Sequence, residues 1–408
     1  MCILFKYSCL RGGFHSCSVE KDLHATGVVI LIDGFYGCCL SCVCPLLVGP
    51  KRQVQGRQTR GGQTDCPFPL PIKLTKHLGR WPAGLELEGQ AAAMALEIEH
   101  THLPIRGLNL HVAHVGKGDL GTVVFLHGFP EIWYSWRHQM RAVAAAGYLA
   151  IAPDCRGYGL SDQPPEDEEA SLDDLVADVL GILDALSVPK AFLVGKDFGA
   201  MPAYEFALQH PDRTRGVVCL GIPFSPVPMS LDAMPEGLYI RRWREPGGRA
   251  EADFGRFDVR RVVRTVYVLF SGADIPIAKE GQEVMDLADL STPLPAWFTE
   301  EDLDAYAKLY EKSGFGYPLK MPYRAIHKIP NRLDAKFQVP VFMVMGEKDY
   351  CFKFPGFETA MRSGVMNNFM PDLKITYIPE GSHFVQEQLP EQVNDLLLGF
   401  LSDHPSAA

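Results

Sequence analysis

Basic residues are too few in this chain for a protein that binds nucleic acid. The 408 residues include 39 Lys and Arg against 49 Asp and Glu, which gives a net charge of −10 at pH 7. Because binding to a phosphate backbone requires an excess of positive charge, this balance excludes a nucleic-acid partner. Hydrophobic residues make up 47% and charged residues 22%, so a chain that is disordered throughout is excluded as well.

Cysteine is scarce beyond the first quarter of the chain. Eight of the 11 cysteines lie before Met94, and only three follow it. Residues 1–93 are also basic, with 10 Lys and Arg against 6 Asp and Glu, whereas the rest of the chain is acidic. The cysteines at 38–44 include one C-x-x-C pair, but a zinc site requires a second ligand pair at a defined spacing. We therefore expect no metal site in this segment.

Long apolar runs are scarce too. The run at 27–49 has about the length of a membrane span, but it contains Asp33, four glycines and a proline. Residues 1–93 show little periodicity, and we interpret them as a non-catalytic N-terminal extension, either a disordered segment or a start assigned upstream of Met94. We expect no membrane span in residues 94–408.

From Met94 onward, short apolar runs alternate with amphipathic helical segments. Residues 171–188 predict a helix, because Ser171 and Asp174 form a capping-type start and Pro189 ends the pattern. Continuous apolar runs are typical of strands that are buried on both faces of a parallel sheet. The alternation predicts an α/β fold with right-handed crossovers. The candidate strands are 108–114, 122–127, 148–153, 191–196, 215–221, 339–345 and 374–378.

The alternation is interrupted between residues 224 and 335. This stretch begins with several prolines and continues with helical patterns such as 299–312. We interpret it as a helical cap that is inserted between two strands of the core. The predicted core therefore comprises residues 94–223 and 336–408.

The strand at 191–196 ends in the sequence GKDFGA, residues 195–200, which has the glycine pattern of a nucleophile elbow. In such a turn the central side chain, here Asp197, projects over the carboxyl edge of the sheet. A carboxylate attacks carbon without help from a base and forms an ester that water must then cleave. The structural alternative is an Asp that caps the following helix.

Three other strand ends carry residues that fit this chemistry. The strand at 122–127 leads into HGFP, where the backbone N–H of Phe129 is expected to form an oxyanion hole with that of Phe198. Asp349 follows the strand at 339–345, and His383 follows the strand at 374–378. Nucleophile, acid and His in this order match the catalytic triad of the α/β-hydrolase fold.

Four segments resemble the soluble epoxide hydrolases of the α/β-hydrolase superfamily, especially the plant single-domain type. The resemblance covers essentially residues 94–408. It implies a mostly parallel sheet flanked by helices, with an inserted helical cap. The segments are HGFPEIWYSWRHQ (127–139), APDCRGYGLSD (152–162), GKDFGA (195–200) and GSHFVQEQ (381–388).

The resemblance also implies roles for individual residues. Asp197 attacks an epoxide carbon, and His383, oriented by Asp349, activates the water that cleaves the ester. Two cap tyrosines donate protons to the epoxide oxygen, and the matching positions are Tyr239 in EGLYIRRW (236–243) and Tyr323 in MPYRAI (321–326). The nearby tyrosines that compete for these roles are Tyr306, Tyr310 and Tyr317.

The sequence departs from the family at the two neighbours of the nucleophile. Lys196 and Phe198 stand where the family usually has His and Trp. Phe198 still supplies a backbone N–H, but it lacks the indole N–H with which dehalogenases hold a halide, and this disfavours a dehalogenase. Strand alternation predicts that Lys196 points away from Asp197.

These observations predict a cytoplasmic enzyme that hydrolyses a small apolar epoxide with water to a vicinal diol. No metal or organic cofactor is implied, because carboxylate, imidazole, phenols and water are sufficient for the reaction. Two alternatives remain open on the same fold: a haloalkane-type dehalogenase and a non-catalytic small-molecule receptor. The sequence carries no signal for the particular epoxide, for the selectivity of its opening or for the oligomeric state.

Overall fold

The computed structural model describes residues 96–227, 234–325, 328 and 330–405, and the predicted extension at 1–93 lies outside them. In the described part, eight strands form one sheet. They are β1 (Glu99–Ile105), β2 (Leu108–Val115), β3 (Thr122–Leu126), β4 (Leu149–Pro153), β5 (Ala191–Lys196), β6 (Thr214–Leu220), β7 (Val341–Gly346) and β8 (Leu373–Ile378).

The order of the strands across the sheet is β1-β2-β4-β3-β5-β6-β7-β8. The pairs β1–β2 and β2–β4 are antiparallel, and every other neighbouring pair is parallel. Every residue of the central strands β3, β5 and β7 is buried, as continuous apolar runs predict for strands covered on both faces. The α/β-hydrolase architecture and all seven candidate strands are confirmed.

Helices flank this sheet and also fill the segment between β6 and β7. The α-helices of four or more residues in the described part of the chain are, in order, α1 (Arg137–Ala145), α2 (Leu172–Ala185), α3 (Ala200–Gln209), α4 (Tyr239–Arg244), α5 (Arg249–Phe254), α6 (Val259–Phe270), α7 (Glu300–Tyr310), α8 (Phe357–Arg362), α9 (Val385–Gln388) and α10 (Pro390–Asp403). None of the helices in the described ranges is long and apolar enough to cross a membrane.

Helix α2 forms where the sequence predicts it. Ser171 is the N-cap, and its hydroxyl accepts a hydrogen bond from the backbone N–H of Asp174 at 3.2 Å. Leu175, Val179 and Leu183 lie on one buried face, as their spacing requires. The helix ends at Ala185, just before the chain enters β5.

Strand β1 was not predicted from the sequence. It pairs only with β2, at the edge of the sheet, and most of its residues are partly or fully exposed. Its sequence, EHTHLPI, is therefore mostly polar, and it carries Pro104, which central strands exclude but edge strands tolerate. The hydrophobic signal that identified the other strands is absent from such an edge.

Between β6 and β7 the described residues form helices and turns, with a single isolated bridge between Leu238 and Ile277. Buried aromatic side chains of this insertion, such as Trp243 and Tyr323, share one apolar cluster with Phe129 and Tyr350 at the strand ends. The insertion therefore covers the carboxyl edge of the sheet. Its limits at 224 and 335 remain a prediction.

Candidate active site

A tight turn at the end of β5 holds Asp197. The residues Asp197–Gly199 form a 3₁₀ turn that leads directly into α3, and Asp197 has a φ of +51°, in the left-handed region. A Cβ at Gly199 would lie 2.2 Å from the carbonyl oxygen of Leu126, and one at Gly195 would lie 2.5 Å from that of Gly199. Only glycine fits at these two positions, so the turn that presents Asp197 depends on them.

Asp349 and His383 meet Asp197 at this edge. The Nδ1 of His383 lies 3.0 Å from Oδ2 and 3.1 Å from Oδ1 of Asp349, and its Nε2 lies 3.4 Å from Oδ2 of Asp197. All three side chains are buried. Because Nδ1 faces a carboxylate, it carries the proton in the neutral ring, and Nε2 is the basic nitrogen on the Asp197 side.

Burial and charge act against each other on these groups. Burial opposes ionisation of Asp197, yet the hydrogen bond and charge of His383 hold the pKa of this carboxyl below its usual value. The charge of His383 likewise outweighs burial at Asp349 and lowers its pKa. Burial disfavours the imidazolium of His383, but Asp349 raises the pKa of this ring above its usual value. Asp197 is therefore ionised at neutral pH.

The two backbone N–H groups that the sequence analysis selected both face Asp197. The N–H of Phe129 donates to Oδ1 of Asp197 at 3.1 Å, and the N–H of Phe198 also hydrogen-bonds this carboxylate. Gly128 permits the approach, since a Cβ there would lie 2.5 Å from that of Asp197. An oxyanion that forms on this carboxyl carbon would therefore meet two donors.

Tyr239 and Tyr323 both reach the site from the insertion. Their rings lie 6.3 Å apart, and the ring of Tyr323 packs edge-on against those of Phe129 and Phe198 at 5.2 and 5.4 Å. The hydroxyl of Tyr239 hydrogen-bonds that of Tyr350 at 3.0 Å. Burial raises the pKa of Tyr239 and of Tyr323 well above the usual value, so both phenols keep their protons and are donors.

The competing tyrosines are engaged elsewhere. The hydroxyl of Tyr306 donates to Oε1 of Glu387 at 3.1 Å, and that of Tyr310 donates to the carbonyl oxygen of Glu131 at 3.3 Å. The ring of Tyr317 packs against Gly157, where a Cβ would lie 2.4 Å from its Cδ1. None of these contacts involves Asp197, and the assignment of Tyr239 and Tyr323 as the proton donors stays a prediction.

The side chain of Lys196 does not point away from the site, as strand alternation predicted that it would. Its side chain is fully buried, and its Nζ lies 3.1 Å from Nε2 of His383. Alternation fixes only the direction of the Cα–Cβ bond, and the four-carbon stem of lysine is long enough to carry the ammonium back to the strand end. Lys196 is therefore part of the site and contacts the imidazole.

Sequence reasoning missed two neighbours of Asp349. The ring of Tyr350 lies 4.9 Å from that of His383, and Sγ of Cys351 lies 3.8 Å from Nδ1 of His383. Both residues directly follow Asp349, so their place in the sequence was a usable signal. Among the described residues, Asp349, Cys351 and His383 also bring three possible metal ligand atoms within 4.8 Å of one another. Nδ1 of His383 and both oxygens of Asp349 are paired with each other, so these atoms are engaged in the triad.

Sequence reasoning also passed over Glu131, which is buried and interacts electrostatically with Lys196, Asp197 and His383. One of its carboxyl oxygens accepts the backbone N–H of Gly128 at 3.2 Å, and the other accepts the side-chain amide of Gln386. Burial raises the pKa of Glu131 to about 7. Glu131 belongs to the HGFPE motif on which the resemblance rests. The motif alone did not indicate that the pKa of this carboxyl is raised.

A cavity of about 420 Å³ opens onto Asp197. Asp197, Tyr239 and Tyr350 contribute its polar groups near the triad, whereas Tyr323 lies outside the lining, packed against Phe198. Most of the wall is apolar and includes Met201, Ile222, Phe224, Phe354, Phe357 and Met366. A small apolar molecule with one polar reactive centre fits such a wall.

Comparison with known proteins agrees with this geometry. The family model of the alpha/beta hydrolase fold matches residues 121–257. Epoxide hydrolase 2 of Siraitia grosvenorii is 36% identical over an alignment of 319 residues, with 75% of this chain and 98% of that protein covered. Epoxide hydrolase B of Mycobacterium tuberculosis is 33% identical over an alignment of 352 residues, with 74% of this chain and 98% of that protein covered.

Solved structures of plant enzymes are similar as well. A laboratory-evolved variant of potato epoxide hydrolase superposes with a TM-score of 0.70 at 31% identity, over 75% of this chain and 99% of that one. A mutant of the Vigna radiata epoxide hydrolase superposes with a TM-score of 0.68 at 32% identity, again over 75% and 99%. With its fold, its strand-end residues and these relatives taken together, the chain belongs to the epoxide hydrolase family of the α/β-hydrolase fold.

Proposed function

We propose that this protein hydrolyses small apolar epoxides to vicinal diols through a covalent ester on Asp197. The observation that carries the proposal is an ionised carboxylate on a strained turn, 3.4 Å from a histidine that a second carboxylate orients. In the first step, an oxygen of Asp197 attacks an epoxide carbon, and the carbon–oxygen bond of the ring breaks. The released oxygen takes a proton from Tyr239 or Tyr323.

Water cleaves the ester in the second step. His383 takes a proton at Nε2, and the hydroxide adds to the carboxyl carbon of Asp197. The N–H groups of Phe129 and Phe198 stabilise the oxyanion that results. The bond to the alkyl oxygen then breaks, this oxygen receives a proton from the imidazolium, and the diol leaves. Asp197 is released as a carboxylic acid, and its proton returns through solvent to the tyrosinate left by the first step, which restores both groups. Asp349 stabilises the imidazolium and keeps the ring oriented.

The proposal extends to the division of the chain. Residues 94–223 and 336–408 form the catalytic core, residues 224–335 form the cap that supplies the phenols, and residues 1–93 take no part in the reaction. The substrate class follows from the cavity, whose apolar wall favours an uncharged epoxide. The cytoplasmic location remains a prediction.

Replacing His383 by Gln tests the two-step mechanism. Asp197 attacks without a base, so the first step should continue, whereas hydrolysis of the ester should stall. Incubated with a styrene-type epoxide, His383→Gln should gain the mass of one epoxide per chain. The adduct should map by peptide mass spectrometry to the peptide that contains Asp197.

Asp197→Ala is the matched control and should form no adduct. If wild-type protein forms diol but His383→Gln traps nothing, water attacks the epoxide directly and Asp197 is not the nucleophile. A dehalogenase would instead form its adduct with a haloalkane and release halide. A binding protein would form no adduct with either compound.

A further inference from the structure

A buried lysine in contact with the base distinguishes this site. The Nζ of Lys196 lies 3.1 Å from Nε2 of His383, and no part of the Lys196 side chain is exposed to solvent. Gly221 leaves room for the ammonium, because a Cβ at that position would lie 3.1 Å from Nζ. The same Cβ would lie 3.5 Å from Oδ2 of Asp349, so lysine and acid share this space.

The contact fixes which atom donates. Both oxygens of Asp349 lie within 3.1 Å of Nδ1 of His383, so in the neutral ring Nδ1 donates and Nε2 can only accept. Nζ of Lys196 therefore donates to Nε2. This is the nitrogen that must receive the proton of water during ester hydrolysis, so Lys196 touches the group on which the second step depends.

Lys196 acts electrostatically on both carboxylates of the triad. Two carboxylates, Asp197 and Asp349, have a pKa below the usual value, and the charge of Lys196 contributes to both effects. The positive charge of Lys196 also opposes protonation of His383, against the pull of Asp349. The titratable groups that face the lysine and the imidazole are Asp197, Glu131, Asp349, Tyr350 and Cys351, and from the cap the hydroxyl of Tyr239 contacts that of Tyr350.

We propose that Lys196 is a positioning residue for His383: its ammonium holds the proton of the ring on Nδ1 and keeps the ring neutral in more acidic solution than it would otherwise be. This proposal rests on the proposed function, in which His383 is the base. A neutral imidazole can accept a proton from water, whereas an imidazolium cannot. The positive charge therefore extends ester hydrolysis to lower pH.

The two steps of the reaction should respond differently to loss of this charge. Ester formation removes the negative charge of Asp197, and an adjacent ammonium stabilises that charge before the attack. Without Lys196 the first step should therefore keep its rate or become faster. Ester hydrolysis at low pH should become slower, because more of His383 is protonated. A purely structural defect would slow both steps at every pH.

The test compares wild type with Lys196→Met, which removes the charge and keeps the length of the side chain. The rate of decay of the covalent ester is measured in single turnovers across the pH range. The acid limb, which is the pH region where this rate falls on acidification, should lie about one pH unit or more higher for Lys196→Met than for wild type. A neighbouring unit charge has about this effect even at the dielectric constant of water. Lys196→Gln gives the same test if Lys196→Met does not fold.

Two further variants separate charge from local disturbance. Lys196→Arg keeps the charge and should keep the acid limb of wild type. Lys348 is exposed and directly precedes Asp349, so Lys348→Met removes a nearby charge that does not touch His383 and should leave the acid limb unchanged. An acid limb that moves as far in Lys196→Arg as in Lys196→Met would overturn the proposal.

An independent readout requires no substrate. The imidazole of His383 is titrated by NMR in histidine-labelled full-length protein, with its signal assigned by its loss in His383→Gln. The midpoint should be about one unit or more higher in Lys196→Met than in wild type. Equal midpoints would overturn the proposal even if the enzyme hydrolyses epoxides. Absence of diol formation by wild type would instead contradict the proposed function, while the titration still reports the contact.

Discussion

Removal of single phenols should reveal which hydroxyl protonates the epoxide oxygen. Tyr239 lines the cavity beside Asp197, and its hydroxyl is 3.0 Å from that of Tyr350. A positioned proton donor contributes about 10²–10⁴-fold to the rate, which corresponds to about 3–5 kcal/mol. We expect Tyr239→Phe to lose activity in this range, with the loss in ester formation rather than in ester hydrolysis.

Tyr350→Phe should have a much smaller effect. It removes the partner of Tyr239, and a neutral hydrogen bond contributes about 1 kcal/mol, or about fivefold in rate. Tyr323→Phe should resemble Tyr239→Phe, and the double change of Tyr239 and Tyr323 should nearly abolish ester formation. The assay is single-turnover ester formation in the His383→Gln background, so that hydrolysis does not obscure the first step.

Tyr317→Phe is the matched control. Its hydroxyl is buried and, in the described part of the chain, has no hydrogen-bond partner, so its removal should not slow the reaction. A loss in Tyr350→Phe as large as that in Tyr239→Phe would make Tyr350 the proton donor. A silent Tyr323→Phe together with a disabling Tyr317→Phe would show that the second phenol is assigned to the wrong residue.

Three further predictions concern the acid, the core and the N-terminal segment. Asp349→Asn should slow ester hydrolysis by about 10²–10⁴-fold while ester formation continues, so the covalent ester should accumulate in rapid-quench mass spectrometry. The buried guanidinium of Arg156 lies 2.6 and 2.7 Å from the two oxygens of Asp178, and Asp178→Ala should lower the free energy of unfolding by about 3–5 kcal/mol in urea titrations. A protein that starts at Met94 should fold and keep the specific activity of the full chain; a soluble but inactive product would contradict this.

Hydrophobic patterning was sufficient to predict the centre of the sheet. The strands β3, β5 and β7 are buried on both faces, so nearly every position in them is apolar and the sequence shows a continuous apolar run. Strand β1 was not predicted because it lies at an edge of the sheet. Polar, partly exposed residues can form its backbone hydrogen bonds with β2, so no apolar run marks it in the sequence. The extent of burial thus decides which strands of such a fold can be predicted from a single sequence.

The residues of the site also differ in how well the sequence predicts them. The meeting of Asp197, Asp349 and His383 could be predicted because each follows a strand and their order along the chain is characteristic. The ammonium of Lys196 could not be predicted from spacing. Its position depends on the rotamer of a long side chain, and the periodicity of a strand fixes only the first bond of that side chain.

The insertion of the cap between β6 and β7 has a consequence for the order in which the enzyme is made. Asp197 lies before the cap, whereas Asp349 and His383 lie after it, and Val217 of β6 pairs with Val341 of β7 across the whole insertion. Closing so long a loop is slow compared with forming local contacts. A nascent chain therefore presents its nucleophile before it acquires its base, and an epoxide that reacts at that stage would stay attached until His383 reaches the ester.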